Sequence, residues 1–373
     1  MSGHHGGTVT LRPIGEVAAY LKRRIPACIP QMPALKPALQ QIAGEETLRT
    51  GVAAFREFIC LICDRLAADG AAYAKPPANP KDIADYPFLS YLSNLLADIG
   101  YYGILSEGGD ALRLTNLPVC IPAADAGGKA APARIPAAGR ADCLRFLAAC
   151  GLVLTGIDPE DKTLRLSERQ PLVVTCPDRP GLLTGLKALS VADMEWRPSR
   201  RFWNDLYLLR CDYSLLMQEE ADPGDLLADF LHPLPAEVQT FAQRLHQRYT
   251  RRGMLCAVSR RAEDQFAYAA ARSGGKTLIP KDICSRAVWR FSHSLQHGYC
   301  LVVKAKRMNE YAAAAAGLAP LLREKIALGY GCDCKRGERC QRGCQGIRIP
   351  LDDAITGIAG QIETWLDYEM PGA

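Results

Sequence analysis

The sequence lacks the features that would assign it to several classes of protein. It has no run of about 18 or more apolar residues, so we expect no bilayer-spanning helix and no membrane partner. Its first residues lack a basic stretch followed by an apolar stretch, which predicts no secretory signal and a cytoplasmic location. No paired nucleophile and base, complete phosphate loop or spaced carboxylates are evident, so an enzymatic reaction has no signature here.

The composition indicates a globular protein with an uneven distribution of charge. The chain has 373 residues, 48% hydrophobic and 23% charged, which is enough material for two or three domains. Residues 235–373 contain 21 Lys and Arg against 13 Asp and Glu, whereas the first 234 residues contain 24 against 27. Nucleic acid is therefore one candidate partner of the basic C-terminal part. A solubilising surface is the alternative, because no contiguous run of Lys and Arg is present.

Most of the 15 cysteines lack a pattern that would indicate a disulfide framework. Their number is odd, and those outside one C-terminal stretch are scattered or lie in apolar surroundings, so we interpret them as small core residues. Cys60 and Cys63 lie on one face of a helix predicted over Glu45–Gly70. No second ligand pair lies near them, which favours burial over a redox or metal role.

The stretch Gly329–Asp353 requires a chemical explanation. Four cysteines follow the spacing C-x-C-x5-C-x3-C: Cys332, Cys334, Cys340 and Cys344. Glycines in the stretch permit tight turns, and its basic residues would offset the net charge of about −2 of zinc with four thiolates. The pattern predicts a zinc site of structural type. An iron–sulfur cluster is the alternative, and free thiols or disulfides are a third interpretation.

A helix, a glycine and a hairpin follow one another repeatedly along the chain. The copies are Leu95–Asn116, Phe146–Glu168 and, more loosely, Leu245–Ala271. A glycine is expected to end the helix of each copy: Gly100, Gly151 and Gly253 in turn. In the second copy the hairpin is expected to close with a strand at Leu164–Leu166. This order is that of the tail of a winged-helix unit, in which a helix packs under a two-stranded wing.

The candidate recognition helices of the first two copies are poor in basic residues. Phe88–Gly100 contains no Lys or Arg, and Arg140–Cys150 contains only Arg140 and Arg145. A helix that enters the major groove needs several donors for phosphates and base edges, so protein contact or a scaffold role is favoured. The third copy is richer in arginine: Arg244, Arg248, Arg251, Arg252, Arg260 and Arg261.

Strands separated by helices, with hairpin spacing between many of them, predict an α+β fold. A further strand is expected at Leu206–Tyr213. We expect four regions: a mainly helical, winged-helix-like region over residues 1–121, an Ala/Gly/Pro-rich linker over 122–139, a second helix–hairpin repeat with α+β structure over 140–234, and a basic α+β region with the cysteine segment over 235–373.

Several other motifs are weaker. Ser273–Thr277 ends like a phosphate loop but lacks its first glycine, so a turn is favoured. His293 and His297 are four residues apart, yet their surroundings predict a hairpin, where that spacing does not favour a metal site. His246 has no nucleophile or carboxylate at a diagnostic spacing. Asp178–Leu182 resembles the amino-acid-binding loop of ACT regulatory domains, although a proline-fixed turn explains it equally well.

Seven segments resemble those of a family of uncharacterised bacterial proteins of similar length with a C-terminal Cys-rich stretch. They are NLLADIGYYGIL, LTGLKALSVAD, LYLLRCDYSLL, LHQRYTRRG, GYCLVVKAK, GYGCDCKRGERCQRGCQGIRIPLDD and ITGIAGQIETWLDYE. The resemblance covers most of the chain from Glu45 onward. It implies one integrated architecture and no functional residues.

These observations predict a cytoplasmic binding or regulatory protein with a structural zinc site and an unidentified protein or small-molecule partner. The alternatives are a metal- or thiol-dependent enzyme or redox protein, and a nucleic-acid-binding regulator. Four protein ligands around zinc would indicate a structural role, whereas three ligands and a water would indicate catalysis.

Overall fold

The computed structural model forms two compact units, residues 1–220 and 221–373. It describes residues 10–25, 35–80, 83–118, 135–161, 166–196, 208–218, 221–260, 264–270, 283–284, 286–305, 313–328 and 346–370. Helices and antiparallel sheets are both present, which confirms the α+β fold class. Within these ranges no helix has the length and apolar character needed to cross a membrane. The division into four regions stays a prediction.

The first unit is mainly helical. Its helices are α1 (Ile14–Arg23), α2 (Pro37–Gln40), α3 (Glu45–Tyr73), α4 (Pro87–Tyr102), α5 (Ala137–Ala149) and α6 (Leu182–Trp196), and its strands are β1 (Ile104–Leu105), β2 (Ala111–Leu114), β3 (Val153–Thr155) and β4 (Leu172–Thr175). The long helix α3 packs against α1 and α6. Its buried residues recur at helical spacing: Leu48, Val52, Phe55, Ile59, Ile62 and Leu66. Burying each large apolar side chain contributes roughly 2 kcal/mol.

Helices α3 and α6 approach each other through glycines. A Cβ atom at Gly51 would lie 2.8 Å from the backbone nitrogen of Gly185, and one at Gly185 would overlap the carbonyl oxygen of Gly51. Gly181, in the turn before α6, adopts the left-handed region with φ +80° and also lies against Gly51. The turn at Asp178–Leu182 therefore packs against the backbone of α3, which supports its structural interpretation.

The two helix–hairpin copies of the first unit share one antiparallel sheet, with strand order β1-β2-β4-β3. Strands β1 and β2 form the first hairpin as expected. In the second copy β3 pairs with β4, so that Val153 faces Thr175. The strand expected at Leu164–Leu166 is not present at Leu166, and residues 164–165 lie outside the described ranges. The winged-helix interpretation stays a prediction.

The three expected helix stops behave differently. Gly151 (φ +102°) and Gly253 (φ +84°) follow helix ends in the left-handed region, where glycine has no steric penalty. The prediction for Gly100 is wrong, because α4 continues to Tyr102 and its C-cap is Gly103. Gly100 is buried inside α4, and a Cβ there would overlap Ser190 of α6. This glycine serves close helix packing, not helix termination.

The strand expected at Leu206–Tyr213 is wrong for the part that the structure describes. Two short 3₁₀ helices, Leu208–Arg210 and Tyr213–Leu216, occupy this stretch instead. Cys211 lies between them with φ +50°, a conformation that L-residues rarely adopt and that interrupts an extended strand. The apolar run resembles a buried strand, but burial inside the helical unit satisfies it equally well.

The second unit is built on a five-stranded antiparallel sheet. Its strands, in the order β5-β6-β7-β8-β9, are β5 (Met254–Arg260), β6 (Asp264–Ala270), β7 (Trp289–Ser294), β8 (Gly298–Val303) and β9 (Ile347–Pro350). Its helices are α7 (Pro223–Leu231), α8 (Ala236–Arg251), α9 (Pro320–Leu328), α10 (Asp353–Thr356) and α11 (Ala359–Glu369). The hairpin expected around His293 and His297 is confirmed, since β7 and β8 are joined by the turn that contains His297.

One face of this sheet carries the aromatic core of the second unit. Tyr268 pairs with Trp289 across β6 and β7, and their rings stack at 3.7 Å. Phe266 pairs with Phe291 on the same face. From above, Phe230 of α7 contacts Phe266 and Tyr249 of α8 contacts Trp289. Helices α7 and α8 are therefore fixed to the sheet by ring contacts.

We predict that Gly185→Ala destabilises the first unit by about 3 kcal/mol or more, because the added methyl meets the backbone of α3, which has no rotamer by which to yield. The matched control is Gly44→Ala, where an added Cβ meets nothing within 4 Å; it should cost at most about 1 kcal/mol. Chemical unfolding followed by circular dichroism measures both. Equal losses in the two variants would contradict the close helix contact.

Candidate functional site

The four cysteines of the predicted metal site, Cys332, Cys334, Cys340 and Cys344, lie outside the described residues. The elements on either side of them are described. Helix α9 ends at Leu328 and packs against β9, which begins at Ile347. Gly346 has φ +77°, and a Cβ there would lie 2.7 Å from Val302 on the neighbouring strand. The cysteine segment therefore joins two elements that contact each other.

The thiols that the structure describes in the first unit lie in no candidate metal site. In the described part of the chain no group of three or more His, Cys, Asp or Glu is placed to hold a metal ion. Cys63 is buried and Cys60 half-buried on α3, and both interact electrostatically with the buried Cys211. Burial raises the pKa of Cys63 to about 12 and that of Cys211 well above its ordinary value. These thiols are neutral, as the core interpretation requires.

A cluster that the sequence did not indicate lies beneath α7. Its members are Asp222 before α7, His246 of α8, Cys256 of β5 and Tyr268 of β6. Nδ1 of His246 lies 2.8 Å from the hydroxyl oxygen of Tyr268. Cys256 lies directly opposite Tyr268 in the β5–β6 pair, and their side chains share a hydrogen bond. The phenol thus connects an imidazole to a thiol.

Burial keeps the imidazole of His246, the phenol of Tyr268 and the thiol of Cys256 uncharged at neutral pH. It lowers the pKa of His246, against which the nearby Asp222 carboxylate acts in the opposite direction. It raises the pKa of Tyr268 well above the ordinary value. It also raises the pKa of Cys256 to about 12, and the hydrogen bond between this thiol and Tyr268 acts in the opposite direction. Imidazole, phenol and thiol are the resting forms.

The start of α7 lies directly on His246. Asp222 caps this helix by accepting a hydrogen bond of 2.7 Å from the backbone N–H of Gly224. A Cβ at Gly224 would lie 3.3 Å from Nε2 of His246, so a larger residue would press on the imidazole ring. The indole ring of Trp289 stacks on the ring of Tyr268. The buried indole N–H of Trp289 has no acceptor within the described ranges. The ring of Tyr268 is therefore held in one position.

The members of this cluster have no diagnostic spacing, so the sequence does not indicate it. His246 and Tyr268 are 22 residues apart and lie on a helix and a strand. One signal was available: the hairpin after Gly253 predicts that residues of β5 and β6 face each other in pairs. Its register, which sets Cys256 against Tyr268, depends on the turn, and residues 261–263 are not described.

His293 belongs to the core. It is buried in β7, its ring stacks on Tyr299 at 3.9 Å, and Phe230 of α7 packs against both rings. The buried Asp264 lies opposite His293 in β6. His297 occupies the turn after β7. The described residues therefore give no support to a metal site shared by the two histidines.

Among the side chains that the structure describes, three arginines of the third copy form ion pairs within the second unit. Arg244 and Arg248 pair with Glu363, and Arg248 and Arg252 pair with Asp367, both on α11. Tyr249 adds a hydrogen bond of 3.0 Å from its hydroxyl to Asp367. In the second copy Arg140 donates to the carbonyl oxygen of Asp161, and Arg145 pairs with Asp142 and Glu160. Arg244, Arg248 and Arg252 are therefore paired with acids and are less available to a polyanion.

Comparison with other proteins adds no homologue from which a site could be transferred. No protein-family model, curated protein or solved structure matches this chain. The resemblance of the seven segments to a bacterial family stays a prediction, and the candidate sites depend on the residues of this chain alone.

We predict that the free energy of unfolding of the second unit decreases as the pH falls below about 6.5, the ordinary pKa of histidine. His246 has a lowered pKa when folded, so the unfolded chain takes up its proton first and is favoured as the pH falls to the folded-state pKa. Denaturant unfolding between pH 7.5 and about pH 5 measures the effect.

The variant His246→Gln removes this proton and should weaken the dependence in that window. His232→Gln, at the exposed end of α7, removes a histidine without touching the cluster and serves as the control. The same pH dependence in all three proteins would show that other groups are responsible.

Proposed function

We propose that this protein is a cytoplasmic binding or regulatory protein in which Cys332, Cys334, Cys340 and Cys344 hold a structural zinc ion. The observation that supports the proposal is the packing of α9 against β9, the elements that precede and follow the cysteine segment. The elements that flank the segment are held against each other, so the loop between them is already closed. Binding of an ion within it therefore has a reduced entropic cost. Its binding free energy, on the order of 10 kcal/mol for structural zinc, becomes local folding energy.

The charges of the segment favour a site with four thiolates. Its basic residues are Lys335, Arg336, Arg339 and Arg342. Arg348, in β9 directly after the segment, adds a guanidinium whose buried Nε has no hydrogen-bond partner in the described part of the chain. Positive charges near the thiolates lower the cost of deprotonating them. An iron–sulfur cluster would use the same four ligands and is the alternative cofactor.

A protein is a better-supported partner than nucleic acid. Helix α4, the candidate recognition helix of the first copy, packs against α5 and α6, and ten of its sixteen residues are buried. The helix–hairpin order supports a winged-helix-like unit used for protein contact. Ile104 is 64% exposed on β1 and Val153 44% exposed on β3, the two edge strands of the first sheet. Exposed apolar side chains at sheet edges suit contact with another protein.

We expect full-length protein purified without oxygen to contain about one zinc ion per chain, because four thiolates satisfy its tetrahedral coordination. Cys340→Ser with Cys344→Ser should abolish zinc binding and open residues 329–345 to protease. Cys60→Ser with Cys284→Ser removes two half-buried thiols elsewhere and should retain the metal. Metal analysis and limited proteolysis measure these outcomes.

Protein that carries no metal while the four thiols remain titratable would overturn the proposed site. Coloured protein that contains iron and sulfide but no zinc would show that the cofactor is an iron–sulfur cluster.

We expect wild-type protein to bind duplex DNA only weakly. Glu363→Gln with Asp367→Asn should strengthen binding and steepen its salt dependence, because it frees Arg244, Arg248 and Arg252 from their acidic partners. Each new phosphate contact should steepen the logarithmic salt slope by about 0.9. Fluorescence anisotropy at several salt concentrations measures both.

The matched control is Glu237→Gln with Glu324→Gln, which changes the net charge equally at exposed positions for which the described residues show no ion pair. Tight wild-type binding with a steep salt slope would favour the nucleic-acid regulator instead.

A further inference from the structure

The hydroxyl group of Tyr268 is placed to transfer a proton between two side chains. Its oxygen lies 2.8 Å from Nδ1 of His246 and shares a hydrogen bond with the Cys256 thiol. A hydroxyl group can accept one proton while it donates another. The arrangement therefore provides a path from the thiol, through the phenol, to the imidazole.

His246 is suited to act as the base at the end of this path. The ring is neutral at rest, and in the tautomer that carries its hydrogen on Nε2 the Nδ1 atom can accept a proton. Asp222 lies near the ring from the side of α7, and its negative charge favours the imidazolium that would form. The β-sheet side contributes Tyr268 and, through it, Cys256. The acids of α11, Glu363 and Asp367, are paired with arginines on α8 and at its C-terminal cap.

Cys256 is more accessible than the phenol it contacts. Tyr268 is fully buried, whereas Cys256 is half-buried in β5. The residues two positions away on the same face of β5 are Met254 and Val258, both apolar. Apolar neighbours exclude charged reagents more than neutral ones, so a small uncharged electrophile suits the position.

We propose that Cys256 is a nucleophilic thiol that Tyr268 and His246 activate towards small uncharged alkyl or acyl electrophiles. In the reaction the sulfur of Cys256 forms a bond to the electrophilic carbon, and the bond from that carbon to its leaving group breaks. The thiol proton passes to the Tyr268 oxygen while the Tyr268 proton passes to Nδ1 of His246. With a thioester the leaving thiolate takes up this proton, and with iodoacetamide iodide leaves and His246 releases the proton to water. No oxidant or reductant is required.

The test uses iodoacetamide on native full-length protein, with the rate at each cysteine measured by peptide mass spectrometry between pH 6 and pH 9. Only the thiolate attacks. At pH values below the pKa of an unassisted thiol, its rate therefore rises about tenfold for each unit by which the pH increases. Cys60 is the internal control, since it is half-buried and the structure shows no histidine hydrogen-bonded to it in the described part. Cys256 should instead react at a rate that levels off once His246 is neutral.

Tyr268→Phe should lower the rate at Cys256 by at least tenfold at pH 7 and restore the tenfold rise per pH unit, without changing the rate at Cys60. His246→Gln should do the same while keeping a group that can hydrogen-bond Tyr268. This second variant decides the matter if Tyr268→Phe fails to fold, which circular dichroism reports. The zinc site plays no part in either measurement.

The proposal is overturned if Cys256 stays unlabelled while Cys60 reacts, because the thiol is then merely buried. It is equally overturned if Cys256 shows the pH slope of Cys60 and neither substitution changes its rate, because the hydrogen bonds are then structural only.

Discussion

The second unit depends on the burial of one aromatic face of its five-stranded sheet. Alternation along each strand sends Tyr268, Trp289, Phe266 and Phe291 to the same side, where α7 and α8 cover them. The stack of Tyr268 on Trp289 fixes the phenol, and the packing of α8 brings His246 within hydrogen-bond distance of it. The same face that supplies the core therefore positions the cluster that contains Cys256.

The first unit uses a different constraint, the absence of side chains at a helix crossing. Gly51 and Gly185 let α3 and α6 approach until their backbones touch, and Gly100 lets α4 approach Ser190. Helices α8 and α11, in contrast, are joined by long side chains: arginines at the C-terminal end of α8 form ion pairs with acidic residues of α11. That pairing reduces the basic surface available to a polyanion, although the chain as a whole carries a net positive charge.

The cysteines of this chain differ in the chemistry of their thiols, because their surroundings differ. Cys63 and Cys211 are buried, and the loss of solvent keeps their thiols protonated and inert. Burial also raises the pKa of Cys256, but this thiol has a hydrogen-bonded route to a neutral base. Its proposed reactivity therefore comes from proton transfer and not from a stable thiolate. The four cysteines of the predicted zinc site are distinguished by spacing alone.

The sequence by itself determined the α+β class, the long amphipathic helix α3, the left-handed glycines at 151 and 253, and the hairpin between His293 and His297. These features follow from local periodicity and backbone freedom, which neighbouring residues specify. Only the tertiary structure decided that Gly100 packs against α6, that Arg248 pairs with Asp367 and that His246 meets Tyr268. Each of these contacts joins elements far apart in the chain, and residue type alone does not identify the partner, because a glycine, an arginine or a histidine is compatible with many environments until packing selects one.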